Sequence, residues 1–152
     1  MKSNSYVKFA AMITVSFIIM YAVMFLNADI IEHVMLSTTR TYMTILMVAP
    51  MAISMILFMW KMYENKKINY IILTSAVIIF AGTLAMLRNQ TLIADMQWMK
   101  AMIPHHSSAI MVSQKAHLTD PEAQKLAQDI IKAQKEEIVQ MQEMIQRLEA
   151  KN

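Results

Sequence analysis

Residues 68–111 read INYIILTSAVIIFAGTLAMLRNQTLIADMQWMKAMIPHHSSAIM, and the change of character halfway along this stretch decides the fold. Residues 68–87 carry no charge. After Arg88 the chain becomes amphipathic and spaces Met96, Met99, Met102 and His105 three apart, with His106 added. A membrane span followed by a helix with a sulfur- and imidazole-bearing face accounts for both halves.

Two more runs resemble the first half: FAAMITVSFIIMYAVMFL at 9–26 and TYMTILMVAPMAISMILFMW at 41–60. Each holds about 18 to 20 uncharged residues, which at 1.5 Å per residue matches a hydrocarbon core of roughly 30 Å. Composition agrees. Of 152 residues, 57% are hydrophobic and 16% charged, against about 25% charged in soluble domains. The rest of the chain is too short to cover three buried helices, so three transmembrane helices are predicted, with a membrane domain over 1–87.

Lys2 and Lys8 precede the first span, and Lys61, Lys66 and Lys67 fill the second loop, whereas the first loop holds Asp29, Glu32 and only Arg40. Positive charge marks the cytoplasmic side. The expected location is therefore a bacterial inner (plasma) membrane, with the N-terminus inside and the first loop and tail outside. An uncleaved anchor fits the first span better than a signal peptide, whose apolar region is shorter. A net charge of +3 without a basic, aromatic-interleaved run gives no reason to expect nucleic acid.

The tail, 88–152, reads as two helices separated by HLTDPEAQ, where Thr119 or Asp120 can cap and Pro121 suits a first turn. The seam of the second helix reads Ala127, Ile130, Gln134, Glu137, Met141, Met144 or Ile145, and Leu148. The corresponding face of the first helix reads Leu92, Met96, Met99, Ile103, His106, Ile110, Ser113 and His117, flanked by Met102 and His105. Pro104 either kinks this helix or interrupts it before His105. One hairpin exposes a side of its core, so a homodimer or partner closing a four-helix bundle is expected.

Eighteen methionines and no cysteine restrict the chemistry. Disulfides, thiolate zinc sites and thiol catalysis are excluded. Thioethers with imidazole favour Cu(I), and by similarity Ag(I). Adjacent histidines on a helix point about 100° apart, so one would join Met99 or Met102 and the other would serve elsewhere. Glu137 and Gln134 suit orienting partners of imidazole, and His117 equally suits a helix C-terminus. The rival reading is packing, because methionine is adaptable core filler.

Met43, Met47, Met51, Met55 and Met59 follow one ridge of the second span, either a packing or lipid-facing ridge or a sulfur-lined path. No ionisable residue lies inside a span, which argues against proton-coupled transport. HHSS at 105–108 lacks a G-x-S-x-G elbow, and the tail has no E-x-x-H pair for a di-iron bundle. No catalysis is expected.

DMQWMKAMIPHHSSAIMVSQKA, followed by KLAQDIIKAQKEEIVQMQEMI, resembles the family known as domain of unknown function 305, over about residues 95–148. That family includes CopM-type copper-binding proteins with a ferritin-like helical fold, linked to copper or silver handling outside the cytoplasm. The resemblance implies Met96, Met99, Met102, His105, His106, Met111, Gln134, Glu137, Met141 and Met144 as characteristic positions. The first 87 residues look similar to a three-span anchor found on some members. The expectation is therefore an all-α membrane protein whose extracytoplasmic hairpin binds Cu(I) or Ag(I), for sequestration or for hand-off to a copper-receiving protein. A membrane-anchored assembly module is the alternative.

Overall fold

The computed structural model describes residues 4–151, and every regular element among them is helical: α1 (Asn4–Val23), α2 (Thr38–Phe58), α3 (Lys66–Arg88), α4 (Asp95–Lys115) and α5 (Pro121–Glu149), with a single 3-10 turn at Ile31–His33. Lys2, one of the charges behind the expected orientation, lies outside the described residues. Stretches of the first three helices, Ser5–Val23, Thr38–Phe58 and Lys66–Arg88, are long and apolar enough to cross a membrane. Relative to the sequence expectation, the first is displaced toward the N-terminus. Residues 24–26 fall in a turn, as do Met59 and Trp60 after α2.

The chain forms two compact units. One comprises the chain up to Met24 together with Thr39–Thr91; the other comprises Phe25–Thr38 together with the chain from Leu92 onward. The loop between α1 and α2 therefore belongs with the hairpin, whereas the sequence reading divided the domains at residues 87 and 88.

In the first unit Phe9, Ala52, Ile56 and Tyr63 form a buried core. The Tyr63 ring lies 5.4 Å from Tyr6 and meets Phe9 edge-on at 5.7 Å. Asn69 is fully buried on α3, and its amide is satisfied: Nδ2 donates to the Tyr63 carbonyl (2.7 Å) and Oδ1 accepts from Tyr6 Oη (2.9 Å). A buried amide away from water requires such partners. α3 starts where Asn65 Oδ1 accepts the N–H groups of Lys67 and Ile68. It ends in a Schellman arrangement, with Thr91 N–H donating to the Met86 carbonyl and Gln90 N–H to that of Leu87.

Starting α2 at Thr38 places Arg40 in its first turn, where its guanidinium donates to the carbonyl of Met24 just beyond α1. α2 runs through Pro50 without a break. Ser54 Oγ donates to the carbonyl of Pro50 (2.9 Å), not to the carbonyl that the proline frees. Met43, Met47 and Met59 are exposed, so the methionine ridge faces outward at these positions, while Met55 packs against the core of this unit. Val15, Ile18, Ile19, Phe58, Ile71, Val77 and Ile78 are also open. So much apolar helix surface suits lipid, since water-facing proteins rarely expose contiguous patches of this kind.

The second unit is a hairpin of α4 and α5. Asp120 caps α5, its Oδ1 accepting the Ala123 N–H at 2.9 Å, with Pro121 in the first turn. Pro104 neither interrupts nor ends α4, which runs unbroken from Asp95 to Lys115. Met99, Ile103, Ile110, Ile138, Met141 and Ile145 are buried together, with Met35, Met102, Ile131 and Leu148 packed against them. On α5 the inward seam is Ile131, Gln134, Ile138, Met141, Ile145 and Leu148, spaced alternately three and four. Glu137 is thus not in the seam, where Ile138 takes its place, and Ile145 rather than Met144 points inward.

Candidate functional site

The unbroken α4 separates the two histidines by about 100° of helix rotation. His106 is 8% exposed, while His105 is open to solvent. Their rings lie 6.1 Å apart at 64°, and they do not converge on a common point. His106 belongs to the hairpin interior and His105 does not.

Both ring nitrogens of His106 are engaged. Nδ1 lies 3.0 Å from the Met102 carbonyl one turn earlier, and Nε2 lies 2.7 Å from Glu137 Oε2 across the hairpin. A carbonyl only accepts, so Nδ1 carries a proton. At 2.7 Å the Nε2–Glu137 Oε2 contact is a hydrogen bond across the hairpin. The Glu137 side chain is 51% exposed and reaches this contact from the rim.

Three thioethers belong to the core of the same hairpin. Met99 (3% exposed) and Met141 (6%) are core residues, and Met102 packs against the same core. On α4 Met102 precedes His106 by four residues, and on α5 Glu137 precedes Met141 by four. Each pair is one turn apart on its helix, with Met102 and Met141 packed in the core and Glu137 at its rim. Gln134, one turn before Ile138, is half-buried in the seam.

The other expected site residues are not brought together here. Met96 and Met111 are half-buried on α4. Met144 is 42% exposed and off the seam. His117 directly follows the C-cap Ala116, exposed, so it stands near the end of α4 as expected but not on the inner face. Leu92 likewise precedes α4 and is exposed. Among the described residues no three of His, Cys, Asp and Glu group to hold a metal ion. A metal here would depend on methionine sulfur.

Sequence reasoning missed the contribution of the loop. Ser107, fully buried beside His106, accepts the Asp29 N–H (2.8 Å) and lies 2.9 Å from His33 Nδ1. Asn27 Nδ2 donates to Ser108 Oγ (2.9 Å), and Gln97 Oε1 accepts both the N–H and the hydroxyl of Thr38 (2.9 and 3.0 Å). Burial lowers the pKa of His33, while Asp29 and Glu32 pull it partly back up. His33 and Met35, an imidazole and a thioether two apart in the loop, were the available signal. HHSS is thereby explained as attachment, its two serines holding the loop.

An uncharacterized protein of Acanthamoeba polyphaga mimivirus is 33% identical to this chain over 144 residues, 93% of each protein. Likeness of that extent runs through the apolar helices and the hairpin alike. No solved structure matches the chain. The family described as Domain of unknown function (DUF305) matches residues 81–145, which contain all of α4 and most of α5, and the chain belongs to that family.

Proposed function

We propose that the hairpin unit binds Cu(I) or Ag(I), and that the protein sequesters or hands on these ions at a membrane without catalysing a reaction. The observation that carries this reading is the gathering of Met99, Met102 and Met141 in one core of the hairpin, with the backbone of Met102 bonded to the buried His106. Thioethers are neutral, soft donors that need no deprotonation, and with one imidazole they suit a monovalent soft ion over a hard one. The Nδ1 contact to the Met102 carbonyl is the kind that orients a ligating imidazole. The half-exposed Glu137 then turns to solvent, the proton of the contact leaves with it or to water, and Nε2 is left to the ion. At 2.7 Å the present contact is a hydrogen bond without room for an ion between its atoms.

Three crossings leave the first loop and the tail on the same side, which agrees with their sharing one unit. The positive-inside pattern assigns that side to the exterior of a plasma membrane, with the ion's supplier and acceptor there. Pairing of two hairpins into a four-helix bundle would cover Leu126 and Val139, which α5 leaves exposed.

An anaerobic Cu(I) titration of the full chain in detergent, against a chromophoric chelator, tests the reading. Saturation at a fixed ratio, tighter than roughly micromolar, supports it. Non-saturating uptake removes it. One observation favours the assembly-module reading in that event: both nitrogens of His106 already have partners, as in an ordinary core histidine.

A further inference from the structure

The loop Phe25–Thr38 separates two apolar helices in sequence, yet five hydrogen bonds join it to α4. Three of them end on Ser107 and Ser108 and two on Gln97. This attachment delivers Met35 to the core that contains Met99 and Met141. Met35 also lines a cleft of 530 Å³ bounded by Lys100, Gln142, Ile145, Gln146 and Glu149. Ile145 and Met35 are therefore shared between the buried core and the open cleft. At the rim Lys100 Nζ pairs with Glu149 Oε1 at 3.1 Å.

From this arrangement we infer that Met35 is one of the sulfur ligands of the soft-metal site, the others being drawn from Met99, Met102 and Met141, and that the cleft is its entrance. The inference rests on the Cu(I)/Ag(I) reading above. A hydrated ion entering the core must exchange water for protein donors in steps. The carboxamide oxygens of Gln142 and Gln146 and the Glu149 carboxylate meet it while it still carries water. Met35 offers the first thioether, and Met99 and Met141 lie beyond it in the same core. Ser107 acts as a positioning residue. Its hydroxyl holds the loop backbone at Asp29 and the ring of His33, and so fixes where Met35 is placed.

The test uses the full chain in detergent, loaded with Cu(I). Met35→Leu keeps the apolar bulk and removes the sulfur, and hydrogen exchange over 25–38 verifies that the loop stays attached. The expected result is at least about a tenfold loss of affinity, with one fewer sulfur in the copper X-ray absorption spectrum. Met144→Leu, at an exposed position, should change neither. Ser107→Ala should weaken binding several-fold in the parent and leave the Met35→Leu protein unaffected, because both changes remove the same contribution. If the parent binds and Met35→Leu binds equally well with the same sulfur count, Met35 is packing and the inference falls while the metal reading stands. If the parent does not bind, both fall.

Discussion

Removing the Glu137 carboxylate should move metal affinity and fold stability in opposite directions. Glu137 occupies the nitrogen that the ion needs, through a 2.7 Å contact to His106 Nε2. Hydrogen bonds to charged groups contribute about 1.5–3 kcal/mol when well buried, and neutral ones about 0.5–1.5 kcal/mol. Here one partner is 8% exposed and the other 51%. Solvent competes at the carboxylate, so about 1 kcal/mol is the appropriate figure. Glu137→Ala should therefore tighten Cu(I) binding by about fivefold, the factor to which 1 kcal/mol corresponds. It should also lower the free energy of opening α4 from α5 by about the same amount. Competition titration gives the first quantity and amide hydrogen exchange at α4 and α5 gives the second. A fall in affinity would refute the reasoning, because Glu137 would then ligate or orient and not compete. Unchanged affinity would mean that His106 Nε2 is not a ligand atom.

Ile103 is completely buried between the helices, so Ile103→Ala should cost about 2–5 kcal/mol. Hydrogen exchange of the hairpin amides would register it, and protection at the parent level would place the core elsewhere. Burial lowers the pKa of His33 below its ordinary 6.5, so the folded unit favours the neutral ring. Its contribution is present above pH 6.5 and is lost as pH falls through the lowered value. Amides of 25–38 should accordingly lose protection, relative to pH 7.5, as pH drops below that range. His33→Gln should flatten the dependence, and an equal slope in that variant would contradict the assignment.

The apolar helices were legible because a charge-free run long enough to span a bilayer seldom serves any other purpose, and their ends moved by only a few residues. The hairpin was legible from its caps, since Asp120 and Pro121 stand at the first turn of α5 as expected. The α5 seam was read one residue off at Ile130 and Glu137, where Ile131 and Ile138 face inward, although Gln134, Met141 and Leu148 were placed correctly. A polar residue beside a seam and one in it differ by one step of helix rotation, and only packing separates them. Pro104 offered two outcomes. The interruption is ruled out by the continuous helix, which keeps His105 and His106 apart. The role of the first loop was not legible. His33 and Met35 lie more than 70 residues before Ser107 and more than 60 before Met99, and periodicity carries no information across such distances.

The central claim is that sulfur in the hairpin core binds metal and does more than fill space. Replacing Met99, Met102 and Met141 together by leucine tests it most directly, because each exchange nearly conserves volume and costs less than about 1.5 kcal/mol. An anaerobic Cu(I) titration of this variant beside the parent, both in detergent and both checked for hairpin protection, is the measurement. The account predicts a hairpin that remains closed and an affinity at least about a hundredfold weaker. Equal affinity in a closed hairpin would contradict it and return these methionines to packing.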